Sequence, residues 1–150
     1  LYYSNDFHSF PYYREIDSVN AQIVNRVLDG IKAEATAIEF YSRLSEIAPT
    51  TEAKADILHA LDDERIHLQK FTELYLRLTG RQPSYQIVPI TFNSFQEGAR
   101  EAYRTELEAY EEYRNAYLMT QDPIIRDVFL RAFTDEIEHA IRFSQAIVTR

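Results

Sequence analysis

Two short stretches, Asp63-Glu64-Arg65-Ile66-His67 and Asp135-Glu136-Ile137-Glu138-His139, each place a Glu and a His three residues apart. On a helix, residues at that spacing share one face about a turn from each other. What matters is which face it is. Around the first copy the apolar positions run Ala53, Ile57, Ala60 and Leu61, then Leu68, Phe71, Tyr75 and Leu78. Around the second they run Ile125, Val128, Phe129 and Ala132, then Phe143 and Ile147. Glu64, His67, Glu136 and His139 therefore stand where the core stripe belongs. A buried carboxylate costs on the order of several kcal/mol unless it is paired or bound to a cation. No Lys or Arg falls on either stripe to balance the charge, so a metal is the most economical partner.

The helices that carry these residues can be read from period and punctuation. A first helix is predicted from Asp17 or Ser18 to Ile47, with Ile23, Val27, Ile31, Glu34, Ile38 and Tyr41 at three- to four-residue spacing. Glu34 again interrupts an apolar stripe. Ala48-Pro49-Thr50-Thr51 ends this helix and offers a Thr N-cap to a second, which reaches Thr79 and stops at Gly80. Ser94 and Glu97 have the form of a capping box and open a third helix through Phe95, Ala99, Ala102, Glu106, Ala109, Tyr113 and Tyr117. Asp122-Pro123 opens a fourth that runs nearly to Arg150. Between the second and third lies the one long connection, residues 81–93, where Pro83 and Pro89 exclude a helix.

Helices of about 28 residues, each about 40 Å long, joined short–long–short, describe an all-α four-helix bundle with one long crossover between helices 2 and 3. Residues 16–150 are assigned to this bundle. Residues 1–15, rich in Tyr and Phe, are expected to form an aromatic arm packed on the bundle or on a neighbouring subunit, with His8 at the surface.

The two halves align without a gap at an offset of 72 residues. Glu34 meets Glu106, Tyr41 meets Tyr113, Phe71 meets Phe143, and Asp63, Glu64 and His67 meet Asp135, Glu136 and His139. A pseudo-twofold axis would bring all six inward Glu and His residues to the bundle centre. One Glu from each of two helices plus a Glu-x-x-His from each of the others is the ligand recipe of di-iron carboxylate bundles.

The pattern resembles the ferritin-like superfamily, and within it the rubrerythrin and bacterioferritin branches, over about residues 18–148. The resemblance implies that Glu34 and Glu106 are terminal metal ligands. It implies that Glu64 and Glu136 bridge two metals, and that His67 and His139 bind one each. It further implies that Asp63 and Asp135 each orient the His of the opposite half, which would fix its tautomer. Tyr41 and Tyr113 correspond to a tyrosine that reaches the metal site and are the candidate catalytic side chains. The sequence also departs from particular members. Rubrerythrin's Cys-rich iron domain is missing, the extra Glu it carries three residues after the third-helix ligand is Ala109, and the haem-binding Met of bacterioferritin is Arg65. No haem is expected. Glu39, Glu111 and His59 fall off the stripes; His59 is expected to be exposed, and Glu39 and Glu111 to face solvent or, at most, to support a ligand from outside.

Composition narrows the function classes. The net charge of −8, with no basic stripe, argues against nucleic acid. The absence of Cys removes disulfides, zinc–thiolate sites and Fe–S clusters. No apolar run approaches the roughly 18 residues of a membrane span, no signal peptide is visible, and a reducing cytoplasm is the default compartment. Four carboxylates and two imidazoles suit a pair of Fe ions, with Mn the alternative occupant. Four Glu charges match two divalent ions and favour reaction with hydrogen peroxide or O2, the electrons coming from an external donor. A peroxidase-, oxidase- or ferroxidase-like protein is the leading expectation, working as a homo-oligomer, a dimer or larger. An iron-binding or storage oligomer is the alternative.

Overall fold

A computed structural model describes the backbone of residues 11–148 and the side chains of residues 20–148. Four helices follow one another: α1 (Pro11–Glu46), α2 (Thr51–Thr79), α3 (Phe95–Leu118) and α4 (Pro123–Val148). Their ends follow from the residues that cap them. Thr50 accepts from Ala53 N at 3.1 Å, and Gly80, at φ +69°, closes α2 through its N–H on the Leu76 carbonyl. That left-handed conformation is what a glycine supplies at no steric cost. Ser94 accepts from Glu97 N at 3.2 Å, while Glu97 Oε2 accepts from Asn93 N at 2.8 Å. The capping box therefore closes one residue further out than its simplest form. Asp122 Oδ1 accepts from Ile124 N and Ile125 N, ahead of Pro123 at the first helical position.

The N-terminus differs from expectation. α1 begins at Pro11 rather than at Asp17 or Ser18, so the backbone of residues 11–15 is already helical. Proline is pre-organised for the first helical turn, and no breaker follows it until Pro49. Residues 1–10, the rest of the expected arm, lie outside the described residues.

α1 packs along α2 and α3 along α4, while α1–α3 and α2–α4 close the bundle; among the described residues α2 and α3 share no packed face. The connection between them therefore crosses the bundle lengthwise. Thirteen extended residues reach about 43–47 Å, which matches a 29-residue helix of about 44 Å. The crossover runs beside α1. Arg43 donates to the Ile90 carbonyl at 2.7 Å, its guanidinium lies 4.9 Å from the Phe92 ring centroid, and Phe92 packs on Phe40 at 5.4 Å. Gly98 is where α3 starts beneath this strap, and a Cβ there would sit 2.5 Å from Leu44 Cδ1.

Two apolar clusters fill the bundle. One gathers Phe40, Tyr41, Leu44, Ile57, Leu61 and Phe143; the other gathers Ile23, Val27, Ile31, Phe71, Tyr113 and Phe129. Between them lies a belt of six buried polar residues, Glu34, Glu64, His67, Glu106, Glu136 and His139. No helix among the described residues is long and apolar enough to cross a membrane.

Candidate metal centre

Each helix contributes to the belt at mid-length. α1 supplies Glu34, α2 supplies Glu64 and His67, α3 supplies Glu106, and α4 supplies Glu136 and His139, all between 0 and 3 % exposed. They fall into two overlapping sets, Glu34–Glu64–His67–Glu136 and Glu64–Glu106–Glu136–His139, in each of which the candidate ligand atoms lie within 4.8 Å of one another. Glu64 and Glu136 belong to both. Glu34 and Glu106 flank them on neighbouring helices, so all six residues expected at the centre meet there.

Hydrogen-bond supply decides what the belt needs. His67 Nδ1 lies 2.9 Å from Glu64 Oε2, 3.3 Å from Glu136 Oε1 and 3.9 Å from Glu34 Oε1. His139 Nδ1 lies 3.2 Å from Glu136 Oε2, 3.1 Å from Glu64 Oε1 and 3.7 Å from Glu106 Oε2. Each nitrogen can carry one proton and faces three carboxylate oxygens. Glu64 Oε1 and Glu136 Oε1 accordingly receive no hydrogen bond although both are buried. An unsatisfied buried oxygen of this kind is rare and calls for an explanation. A cation among the oxygens satisfies all of them at once, and the donor set of carboxylates with imidazole fits Fe or Mn.

The outer nitrogens are also engaged. His67 Nε2 meets Asp135 Oδ2 at 3.0 Å and His139 Nε2 meets Asp63 Oδ2 at 3.2 Å, each across the α2–α4 interface. With Nε2–H donated to an Asp, Nδ1 presents its lone pair to the centre, the tautomer that metal ligation requires. Tyr41 donates to Glu106 Oε1, and Tyr113 donates to Glu34 Oε1 at 2.5 Å. Each tyrosine thus braces the carboxylate of the other half, tying α1 to α3 as the His–Asp pairs tie α2 to α4. Phe143 stacks on Tyr41 at 5.0 Å and Phe71 on Tyr113 at 5.1 Å, keeping the pseudo-twofold relation.

Without metal the belt holds protons. Burial, reinforced by the charges of Glu64 and Glu136, raises Glu34 well above the usual carboxylate range, and the same causes raise Glu106. Burial works against charge on His67, but the facing carboxylates of Asp135, Glu136 and Glu64 outweigh it and raise its pKa. His139 is raised in the same way against Glu106, Glu136 and Glu64. Tyr41 and Tyr113 are pushed up by burial and by Glu106 and Glu34 respectively, so both stay protonated donors.

Two features escaped the sequence. Where no substrate pocket was legible, a cavity of about 500 Å³ opens between α1 and α3 beneath the crossover, lined by Gly30, Ala33, Ala37, Val88, Ala109 and Tyr113 among others. Its wall includes Tyr113, whose hydroxyl holds Glu34. Small side chains on two helices are the only local signal, and they read equally well as close packing. The second is His59, expected simply to face solvent. Its side chain is 42 % exposed, but Nε2 lies 3.2 Å from Asp63 and 3.5 Å from Glu138. Glu39 is held by Arg43 at 2.6 Å rather than free, and Glu111 is exposed as expected.

A four-helix bundle with one lengthwise crossover and a doubled Glu/Glu-x-x-His belt defines a metal-binding protein of ferritin-like architecture. The rubrerythrin family model matches residues 25–147, and the chain belongs to that family. It is similar to the uncharacterized protein YhjR of Bacillus subtilis (strain 168), at 31 % identity over 94 % of this chain and 97 % of that one. It is also similar to the encapsulin nanocompartment cargo protein EncC of Myxococcus xanthus (strain DK1622), at 30 % identity over 55 % of this chain and 61 % of the other. Among solved structures, the dodecameric thioferritin of Bacteroides fragilis, a bacterioferritin-related protein, superposes with a TM-score of 0.76 at 13 % identity, covering 85 % of each chain.

Proposed function

We propose that the chain is a di-iron carboxylate redox protein that reacts with hydrogen peroxide or O2. The observation that carries this reading is the pair of buried, unbonded oxygens, Glu64 Oε1 and Glu136 Oε1, set among six ligand-type side chains. In it, Glu34 and Glu106 would each hold one metal ion, Glu64 and Glu136 would be shared between the two, and His67 and His139 would each supply one nitrogen. A pair of iron ions, when bound, supplies two electrons to a dioxygen species. The protein's own part is to converge the carboxylates on one point, to fix both imidazoles through Asp63 and Asp135, and to keep bulk water out with the two aromatic clusters. Tyr41 and Tyr113 hold a proton against Glu106 and Glu34, beside the cavity in the case of Tyr113. That cavity is the path assigned to the oxidant.

The protein prepared without oxidant is expected to bind two Fe(II) per chain and to turn ferric on adding one equivalent of hydrogen peroxide. Because the chain has no Cys to carry a relay cluster, turnover should stall after one oxidation until a reductant is supplied. Tyr41→Phe and Tyr113→Phe are expected to leave the metal count at two and to change the oxidation rate. If loaded protein reacts with neither oxidant faster than free Fe(II), the redox reading falls.

Iron storage in an assembly is the second reading, favoured by the likeness to an encapsulin cargo protein and to a dodecamer. A large oligomer on sizing that accumulates many irons per chain would select it. Two irons per chain, however long the exposure, would select the enzyme.

A further inference from the structure

α4 carries two apolar stripes. Ile125, Phe129, Ala132, Ala140 and Phe143 face the core, together with Glu136 and His139 of the belt. On the other side Leu130, Thr134, Ile137, Ile141, Ser144 and Val148 recur at alternating steps of four and three residues. That is the spacing of a helix–helix seam. At about 100° per residue, all six fall within about 40° of one line along the helix. The four aliphatic side chains are 41, 37, 54 and 77 % exposed in chain order. The repeat supplies an internal comparison. At the 72-residue offset the same positions on α2 are Leu58, Asp62, Arg65, Gln69, Thr72 and Leu76. There Arg65 pairs with Asp62 at 2.7 Å and Gln69 donates to Glu73 at 2.8 Å, as on a solvated face. Packing of the repeat therefore does not require this row to be apolar. Single exposed aliphatics are ordinary, but a contiguous row about 27 Å long marks an interface.

We propose that this row is the interface with a second copy of the chain, the two α4 helices packing antiparallel about a twofold axis beside residue 139. The row is its own complement when reversed about its midpoint. Leu130 then meets the partner's Val148, Ile137 the partner's Ile141, and Thr134 the partner's Ser144. Apolar positions meet apolar ones and the two hydroxyls meet each other, as a self-complementary twofold contact requires. The flanks decide between antiparallel and parallel packing. One flank is aromatic, with Phe133 against the rings of Tyr110 at 6.0 Å and Tyr117 at 5.5 Å. The other is charged, with Arg131 and Glu138 exposed. Antiparallel packing sets each flank against its own copy, whereas parallel packing sets the aromatic flank against the charged one. Glu138 comes near its own copy across the axis, and Arg142, donating to it at 2.6 Å, neutralises it there. In this dimer α4 holds the belt on one face and the partner on the other. The interface stands whatever the belt binds.

Sedimentation equilibrium and directed cross-linking test the surface and the register separately. Wild type is expected at twice the 17.6 kDa of one chain, or at an even multiple of it. Ile141→Lys should weaken the pairing at least tenfold with far-UV circular dichroism unchanged. Gln69→Lys, the equivalent change on α2, should leave the mass as it is. Because the chain has no Cys, single cysteines report the register without background. Leu130→Cys and Val148→Cys, each alone, should not cross-link under mild oxidation, while an equimolar mixture of the two should form covalent dimers. A wild type that sediments as one chain at its highest soluble concentration would overturn the proposal and leave the row to a different partner. An oligomer that Ile141→Lys leaves intact would overturn it too. So would cross-linking of either cysteine variant with itself, which marks parallel packing, or a mixture that fails to cross-link.

Discussion

Stripping the metal with a chelator is expected to lower the melting temperature by roughly 10–20 °C. Each ion present at about a hundredfold above its Kd stabilises the fold by about 2.7 kcal/mol. Two ions give about 5 kcal/mol, and a chain of this length shifts by about 2–4 °C per kcal/mol. The pH dependence has a definite sign. In the metal-free protein Glu34, Glu106, His67 and His139 all have pKa values raised above their unfolded ones. Glu136 is the exception: burial opposes its charge, but the hydrogen bonds of Glu106, His139 and His67 outweigh burial and hold it below the ordinary value of 4.5. Above that value it is ionised in both states, so the native state binds more protons than the unfolded state, and stability falls as pH rises. For the carboxyls that loss starts at the ordinary value of 4.5, and for the imidazoles at 6.5. Metal requires ionised carboxylates and free Nδ1 lone pairs, so loading releases protons and tightens as pH rises. The gap between loaded and stripped melting temperatures should widen between about pH 5 and 8. Scanning calorimetry at three pH values checks it. Glu64→Ala or Glu136→Ala should remove the metal dependence altogether, and equal melting of loaded and stripped wild type would exclude a metal-filled core.

The centre was legible because evolution of a buried site breaks a pattern that packing otherwise enforces. Glu34, Glu64 and Glu136 sit in stripes of Ile, Val and Phe, and the 72-residue echo singles out Glu106 and the paired Tyr113 as well. The crossover was legible from Pro83 and Pro89, since two missing N–H donors within seven residues rule out a helix. Other features depend on which segments meet, and no single stripe records that. Phe40 is fully buried off the stripe of α1 because Phe92 of the crossover packs over it. Leu78, on the stripe of α2, is 37 % exposed at the last turn of that helix. The cross-bracing of each tyrosine to the opposite half's Glu needs the α1–α3 neighbourhood, which follows from the topology and not from spacing along either helix. The cavity is built by four segments at once, and His59 gains its partners from α4 as well as from its own helix.

Breaking one His–Asp pair should show whether the belt is a metal centre or a buried ion-pair network. Asp135 touches His67 Nε2 at 3.0 Å and is itself 32 % exposed, so Asp135→Asn keeps the shape and removes only the charge. An amide can still accept from Nε2–H, but it no longer raises the basicity of Nδ1. Loss of such a supporting carboxylate weakens metal binding by about 10–100-fold. Competition for Mn(II) against a chelator of known affinity should show that weakening at one of the two ions, with the other little changed. Asp63→Asn should do the same at the other ion, through His139. His67→Ala should go further and lose one ion per chain, because Glu34 and the shared bridges then remain without a nitrogen ligand. In an ion-pair network the outcome is opposite in kind. There Asp135→Asn would destabilise the protein in the presence and absence of metal alike, since an imidazolium loses its outer partner in either case, and the Mn(II) titration would not move.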